Sequence, residues 1–449
     1  MTTKPELERS RLQADQACRV LLTGGRAPVT LDLARMLHRA GHRVFAAESM
    51  KRHLCSASRA VEKSVIVPSP RHDTEAYLSA LEHWIRIWQI DLVIPMCEEV
   101  FYAAHGADRL RKHCRVLVSS LEKLHMLHHK YDFIQYAKSA GLPVPETHLI
   151  QSPQEWLETQ QVLGETEEWV WKPVYSRFAA RVRMPLQRLS HIHKNNLADS
   201  GGSTAKAHQT RSHHKRMTTP SRFALLRHDP PDEILLSPGT PWVAQRYIDG
   251  RGLCTYSVVH EGQLVAHAAY ESGYRTGEVG ASVFFEQVQH EEAHAWVKRF
   301  VQAAGFSGQI GFDFIEDANG QVYAIECNPR ATSGIHLFHP GDGLVRALLD
   351  PAGLLKEGIE VTPQPGAKAM LSLPMLGSGM RQIRGSRGSM RAWMAAWRGA
   401  RDVVYMPQDR RPFFMQCSVV LAAWRLARSQ KISLTEALTH DIEWNGEQS

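Results

Sequence analysis

Gly311-Phe-Asp-Phe-Ile-Glu-Asp-Ala-Asn-Gly-Gln-Val-Tyr-Ala-Ile-Glu-Cys-Asn-Pro-Arg330 decides how this 449-residue chain is read. Asn319-Gly320 between two alternating apolar runs is a strong hairpin signal. With those two residues as the loop, Ala318 pairs with Gln321, and counting outward sets Asp313 opposite Glu326. Asn328 lies two residues beyond Glu326 and shares its face. Carboxylates facing each other across strands repel unless a cation sits between them. An oxygen-only set of Asp, Glu and Asn suits Mg²⁺, which completes its shell with water and substrate phosphate. Arg330 adds a positive fork suited to phosphate or an oxyanion. The alternative is a surface hairpin with solvated acids.

The run Glu326-Cys-Asn-Pro-Arg330, one strand after Gly311-Phe-Asp313, resembles the metal hairpin of the ATP-grasp superfamily, in the style of its carbamoyl-phosphate synthetase, biotin carboxylase and D-alanine ligase branches. The resemblance can be followed in pieces from about residue 19 to about residue 340. It implies that Asp313, Glu326 and Asn328 hold Mg²⁺ (or Mn²⁺) against ATP phosphates. It also implies that Arg330 steadies the acyl-phosphate and tetrahedral intermediates of a carboxylate–amine ligase.

Other segments fit the same resemblance. Lys130-Tyr-Asp-Phe begins a helix that runs to Ala140, and Gly141-Leu-Pro143-Val-Pro145 ends it. Lys172 closes the apolar strand Glu168-Trp-Val-Trp-Lys172-Pro173, an awkward place for an ammonium without an anionic partner. Lys130 and Lys172 match the two lysines that such enzymes aim at the nucleotide phosphates. The run after Lys172, Tyr175-Ser-Arg-Phe-Ala-Ala-Arg-Val182, lacks the family's glycines, so Ser176, Arg177 and Arg181 are expected to act by side chain where a loop backbone usually does. Trp242-Val-Ala-Gln245-Arg-Tyr-Ile248 followed by Asp249-Gly250 resembles the adenine-binding hinge, implying adenine contacts from Gln245, Tyr247, Ile248 and Asp249. Gly252 stands where the family has a ribose-binding Glu. Leu253 to His260 and Gln263 to Tyr270 read as a hairpin about Glu261-Gly262.

Upstream, Arg19–Thr23, Gly41–Ala47, Leu92–Pro95 and Arg115–Val118 read as strands alternating with helices, hence a parallel, doubly wound sheet. The turn Gly24-Gly25 lacks GxGxxG, which argues against a Rossmann oxidoreductase. Glu98 and Glu99, after the strand ending at Pro95, read either as acceptor-substrate ligands or as acids at a helix start, the simpler reading. His336, in Ala331-Thr-Ser333-Gly-Ile-His336 after the metal hairpin, reads as a packed loop residue in preference to a base.

The expected architecture is α/β and α+β. It comprises a Rossmann-like N-terminal domain over 1–120 and an ATP-grasp domain over 121–365, with two α+β subdomains clamping ATP. An insert at 190–222 is expected to be disordered, and 366–449 forms a C-terminal extension. Arg384, Arg387, Arg391 and Arg398 give that extension a basic face suited to solvent or a partner surface.

Composition sets the outer limits. Hydrophobic content of 43% with 22% charged residues is that of an ordinary globular protein. No apolar run approaches the ~20 residues that span a bilayer, and the N-terminus lacks a signal-peptide core. Seven cysteines, odd in number and without CxxC spacing, read as reduced thiols, so a cytoplasmic setting is expected. The net charge of +7 invites a nucleic-acid reading. Residues 191–220 carry five Lys or Arg against one Asp, but no aromatics are interleaved among them. The resemblance implies a small carboxylate and an amine as partners, with a homodimer common among such enzymes; membrane and nucleic acid are not expected. The competing readings are a nucleotide-responsive module without catalysis and a basic nucleic-acid binder.

Overall fold

A computed structural model describes residues 17–163, 168–175, 182–184, 236–275, 281–379 and 387–446. The chain forms two compact units, one from Met1–Val144 with Asp249–Ser449 and the other Pro145–Ile248.

In the larger unit, β1 (Arg19–Thr23), β2 (Arg43–Glu48), β3 (Lys63–Ile66), β4 (Leu92–Ile94) and β5 (Arg115–Val116) make a parallel sheet in the order β3-β2-β1-β4-β5. Val20, Leu21 and Leu22 are fully buried, as a central parallel strand covered on both faces requires. β3 was not anticipated. Its residues Lys63 and Ser64 are exposed at the sheet edge, and only Val65 and Ile66 of its four residues are apolar. The order reverses beside β1, and ligands of open α/β sheets gather outside the strand ends at such a point. Here that space is filled by the protein itself. A Cβ on Gly24 would lie 2.8 Å from Glu99 Oε1, and one on Gly25 would lie 2.6 Å from His53 Nδ1. An acid seated over the turn disfavours a dinucleotide pyrophosphate.

The unit Pro145–Ile248 contains β6 (Thr147–Ile150), β7 (Trp169–Pro173) and β8 (Trp242–Arg246), antiparallel in the order β6-β8-β7. Its core is tryptophan-rich: Trp156 lies 4.4 Å from Trp171 and 5.4 Å from Trp242, ring centre to ring centre.

The larger unit also holds a seven-stranded sheet. Its strands are β9 (Arg251–His260), β10 (Gln263–Ser272), β11 (Phe284–Val288), β12 (Gly308–Glu316), β13 (Val322–Asn328), β14 (Lys368–Met370) and β15 (Arg401–Asp402). They run in the order β13-β12-β9-β10-β11-β14-β15. Glu261 and Gly262 both have positive φ, the conformation of a two-residue hairpin turn joining β9 to β10. The helix Glu291–Ala304 brings Trp296 and Phe300 onto Phe312 and Phe314 of β12, with ring centroids 5.1–5.2 Å apart. That aromatic packing commits Ile310, Phe312 and Phe314 to the core and turns Asp313 to the opposite face.

Candidate active site

β12 and β13 carry the site, and their register is reached by a different route from the one expected. The loop is not the pair Asn319-Gly320. Asp317 N–H donates to Gln321 carbonyl at 3.0 Å, and Asp317 Oδ1 accepts from the amides of Asn319 and Gln321 at 2.9 and 3.0 Å. Gly320, at φ 81°, closes this wider turn in a conformation glycine adopts freely. Glu316 then faces Val322 and Phe314 faces Ala324, one position off the two-residue count. A bulge absorbs Ile325 and restores the count, so Asp313 does face Glu326 and Gly311 faces Asn328. The bulge also switches faces. Val322 and Ala324 are core residues, whereas beyond the bulge Cys327 turns inward and Glu326 and Asn328 turn outward. Without it, Glu326 would stand against the aromatic cluster.

Charges converge on this rung. Burial, reinforced by the Glu326 carboxylate, pushes the Asp313 acid up from its usual range, while a hydrogen bond from the Cys254 thiol and the nearby Arg330 and Arg275 pull it back. Lys130, at the N-terminus of the helix Lys130–Ser139, is 2% exposed and places Nζ 3.4 Å from Glu326 Oε1. Arg330 folds back along its own strand end: Nη2 donates to Asn328 Oδ1 at 3.0 Å and Nη1 to the Ala331 carbonyl at 3.1 Å. Gly311 is required beneath it. A Cβ there would lie 2.5 Å from Thr332 Cγ2 and 2.7 Å from the Thr255 carbonyl.

Arg330 also lies 3.8 Å from Glu98 Oε1, a contact between segments more than 200 residues apart. The two acids after β4 therefore have separate tasks. Glu99 Oε1 accepts from Thr23 Oγ1 and from the Met96 and Cys97 amides at 2.6–3.1 Å, the helix-start role expected from its position. Glu98 projects to Arg330. Its other oxygen is 3.5 Å from the Trp444 amide and 3.9 Å from His128 Nε2. Trp444 packs on Phe101 and Tyr102, and Asp441 is gripped by Arg26 through two 2.7 Å hydrogen bonds. The involvement of the chain's last described residues was missed, since no local pattern links them to Glu98. His336 is a packed residue, as read: its Nδ1 is 2.9 Å from Asp32 Oδ2, and Arg401 bridges the pair.

In the smaller unit, Lys172 Nζ donates to Gln245 Oε1 at 2.9 Å, and Gln245 Nε2 donates to Thr147 Oγ1 at 3.1 Å. Both Lys172 and Gln245 are buried. Gln245 thus serves β7 and β6 at once, a role its place in the sequence did not suggest. Tyr247 and Ile248 are half-buried and Asp249 is exposed, and the chain passes from one unit to the other between Ile248 and Asp249. Gly250 is needed there, because a Cβ would lie 2.0 Å from the Glu316 carbonyl. Gly252 leaves its space to Arg275, whose Nη2 would sit 3.4 Å from an added Cβ. Ser176, Arg177, Arg181 and the insert 190–222 lie outside the described residues.

A hard divalent cation is the chemistry this donor set fits. Two opposed carboxylates and an amide would offer such a cation oxygen donors, and the repulsion felt by Asp313 is what a bound cation would relieve. Solved structures at about 14% sequence identity share the fold of this chain. Among solved structures, the chain is similar to N5-carboxyaminoimidazole synthetase from Staphylococcus aureus, at 14% identity and TM-score 0.52 over 82% of this chain and 86% of that one. It is also similar to carboxyaminoimidazole ribonucleotide synthase from Aspergillus clavatus, solved with ATP, at 14% identity and TM-score 0.52 over 77% and 80%. A third is phosphoribosylamine–glycine ligase from Thermotoga maritima, at 14% identity and TM-score 0.51 over 78% of each chain. No protein-family model and no curated protein sequence matches the chain. Among the described residues, no helix is long and apolar enough to cross a membrane.

Proposed function

We propose that the protein is an ATP-dependent ligase that activates a small carboxylate as an acyl phosphate for attack by an amine or similar nucleophile. The observation that carries this reading is the rung on which Asp313 faces Glu326, with Lys130 buried against one acid and Arg330 anchored on Asn328. In this reading residues 121–365 form the ATP-grasp module, preceded by the domain 1–120 and followed by the extension 366–449.

A carboxylate resists attack because it is already negative and has no leaving group. Transfer of a γ-phosphoryl group to its oxygen breaks the bond to ADP. The nucleophile then forms the new bond to the carbonyl carbon, and phosphate leaves. Asp313, Glu326 and Asn328 would hold Mg²⁺, which when bound shields the charge of the β- and γ-phosphate oxygens. Lys130 holds a positive charge beside Glu326. Lys172, oriented by Gln245, supplies another for the nucleotide phosphates, with Gln245, Tyr247, Ile248 and Asp249 proposed around the adenine. Arg330 stabilises charge on the transferring group and on the tetrahedral carbon, and Glu98 fixes the direction of its guanidinium.

The likeness to an ATP-bound synthase and to ligases of small molecules supports this reading at the level of fold. The test is a phosphate-release screen with purified full-length protein, MgATP, and pooled carboxylic acids and amines. Release of ADP and phosphate only with a matched pair supports the proposal. AMP and pyrophosphate would indicate an adenylating enzyme, and nucleotide binding without turnover across the pools would indicate a binding module.

A further inference from the structure

The helix Arg411–Gln430 turns its bulk outward. Its buried positions are Pro412, Val419, Ala423 and Ala427, and next to it Ala437 closes a small alanine cluster. Its large apolar side chains face solvent: Phe414 is 68% exposed, Val420 49%, Leu421 and Trp424 each 45%, and Cys417 is exposed as well. A surface helix normally does the reverse.

The exposed positions follow a strict pattern. Phe414, Cys417, Val420, Leu421 and Trp424 fall, at 3.6 residues per turn, within a sector of about 120°. That is the width of the stripe one helix presents to a packed neighbour. Charge narrows the partner further. From Arg410 to Lys431 the chain carries Arg410, Arg411, Arg425, Arg428 and Lys431, all exposed, and no Asp or Glu. Arg428 lies 4.7 Å over the Trp424 ring, on the line of the stripe one turn beyond its last apolar position. A second copy would bring like charges together along the whole contact.

We infer that this helix is a docking surface for an acidic amphipathic helix of another protein. The partner's apolar seam covers Phe414, Cys417, Leu421 and Trp424, and its flanking carboxylates meet the arginines. The inference is independent of the ligase reading, since none of these residues belongs to the site around Asp313.

The probe is a fluorescein-labelled peptide of about four heptads with Leu at a and d and Glu at e and g. Its anisotropy is followed against the full-length protein. Saturable binding is expected, weakened at least about tenfold by Leu421→Glu and by Trp424→Glu, two surface changes at separate turns. Val162→Glu, at an 82% exposed position on another helix, should leave binding unchanged. Binding should also fall as salt is raised from low ionic strength toward ~0.5 M. Absence of binding, binding insensitive to both seam variants, or equal binding of a peptide with Lys at e and g would overturn the inference. So would capture by phosphatidylserine vesicles, in place of the peptide, that either seam variant abolishes. A wild-type dimer in sedimentation that either variant dissolves would assign the face to a second copy instead.

Discussion

Replacing Lys130 with Met tests the charge balance on which the site rests. Two unit charges 3.4 Å apart attract by about 5 kcal/mol at an effective dielectric constant of ~20. Lys130 is sealed from water, but the Glu326 side chain is 26% exposed, so solvent screens the pair from one side. Discounting by about half leaves a coupling of ~2–3 kcal/mol. Asp313, facing Glu326 on the same rung, would repel it more strongly once the ammonium is gone. Lys130→Met is therefore expected to destabilise the metal-free protein by ~2–3 kcal/mol. In a Glu326→Gln background the same substitution should cost about 2 kcal/mol less. Urea unfolding of the four proteins of this cycle at pH 7.5, with EDTA and moderate salt, measures the difference. Additivity within ~0.5 kcal/mol would show that the two residues do not interact and would refute the proposed charge balance.

Other outcomes are equally open to measurement. Arg330→Ala should leave the unfolding transition in place while lowering phosphate release by on the order of 10²–10³; an unchanged steady-state rate with a matched substrate pair would remove Arg330 from the chemistry. Gly250→Ala places a methyl 2.0 Å from the backbone carbonyl of Glu316, which cannot rotate away. A loss of roughly 3 kcal/mol or more in unfolding free energy is expected, and a wild-type transition would show that the approach is not fixed. His267 is buried with Nδ1 2.9 Å from Ser257 Oγ and its ring 5.0 Å from that of His294, and burial pulls its pKa down to about 4. The unfolded chain, titrating near 6.5, binds a proton that the native state refuses between those values. Stability should thus be complete above pH 6.5 and fall by up to about 3 kcal/mol as pH drops toward 4. His267→Gln should flatten that slope, and an unaltered pH profile would exclude His267 as its source.

Much of the parallel sheet was legible because it depends on local pattern. Arg19–Thr23 and Leu92–Ile94 are short apolar runs bounded by turns, and a buried parallel strand has no other signature. β3 escaped because only Val65 and Ile66 of its four residues are apolar, with Lys63 and Ser64 exposed at the sheet edge. The hairpin of β12 and β13 is the instructive case. Its acids were placed opposite each other by assuming a two-residue loop, but the molecule uses a wider turn and a compensating bulge at Ile325, and the two shifts cancel. Alternation along a strand can be counted, whereas a bulge is set by packing, here the aromatic cluster that claims Phe312 and Phe314.

By itself, then, the sequence determined which residue types stand on each strand, since side-chain alternation and helical spacing are properties of neighbouring residues. Only the tertiary structure decided that Lys130 reaches Glu326, that Gln245 orients Lys172, and that Glu98, braced by the Trp444 amide, meets Arg330. Those pairs join residues 73 to 346 positions apart, brought together by burial of apolar surfaces that say nothing locally about which polar groups will meet.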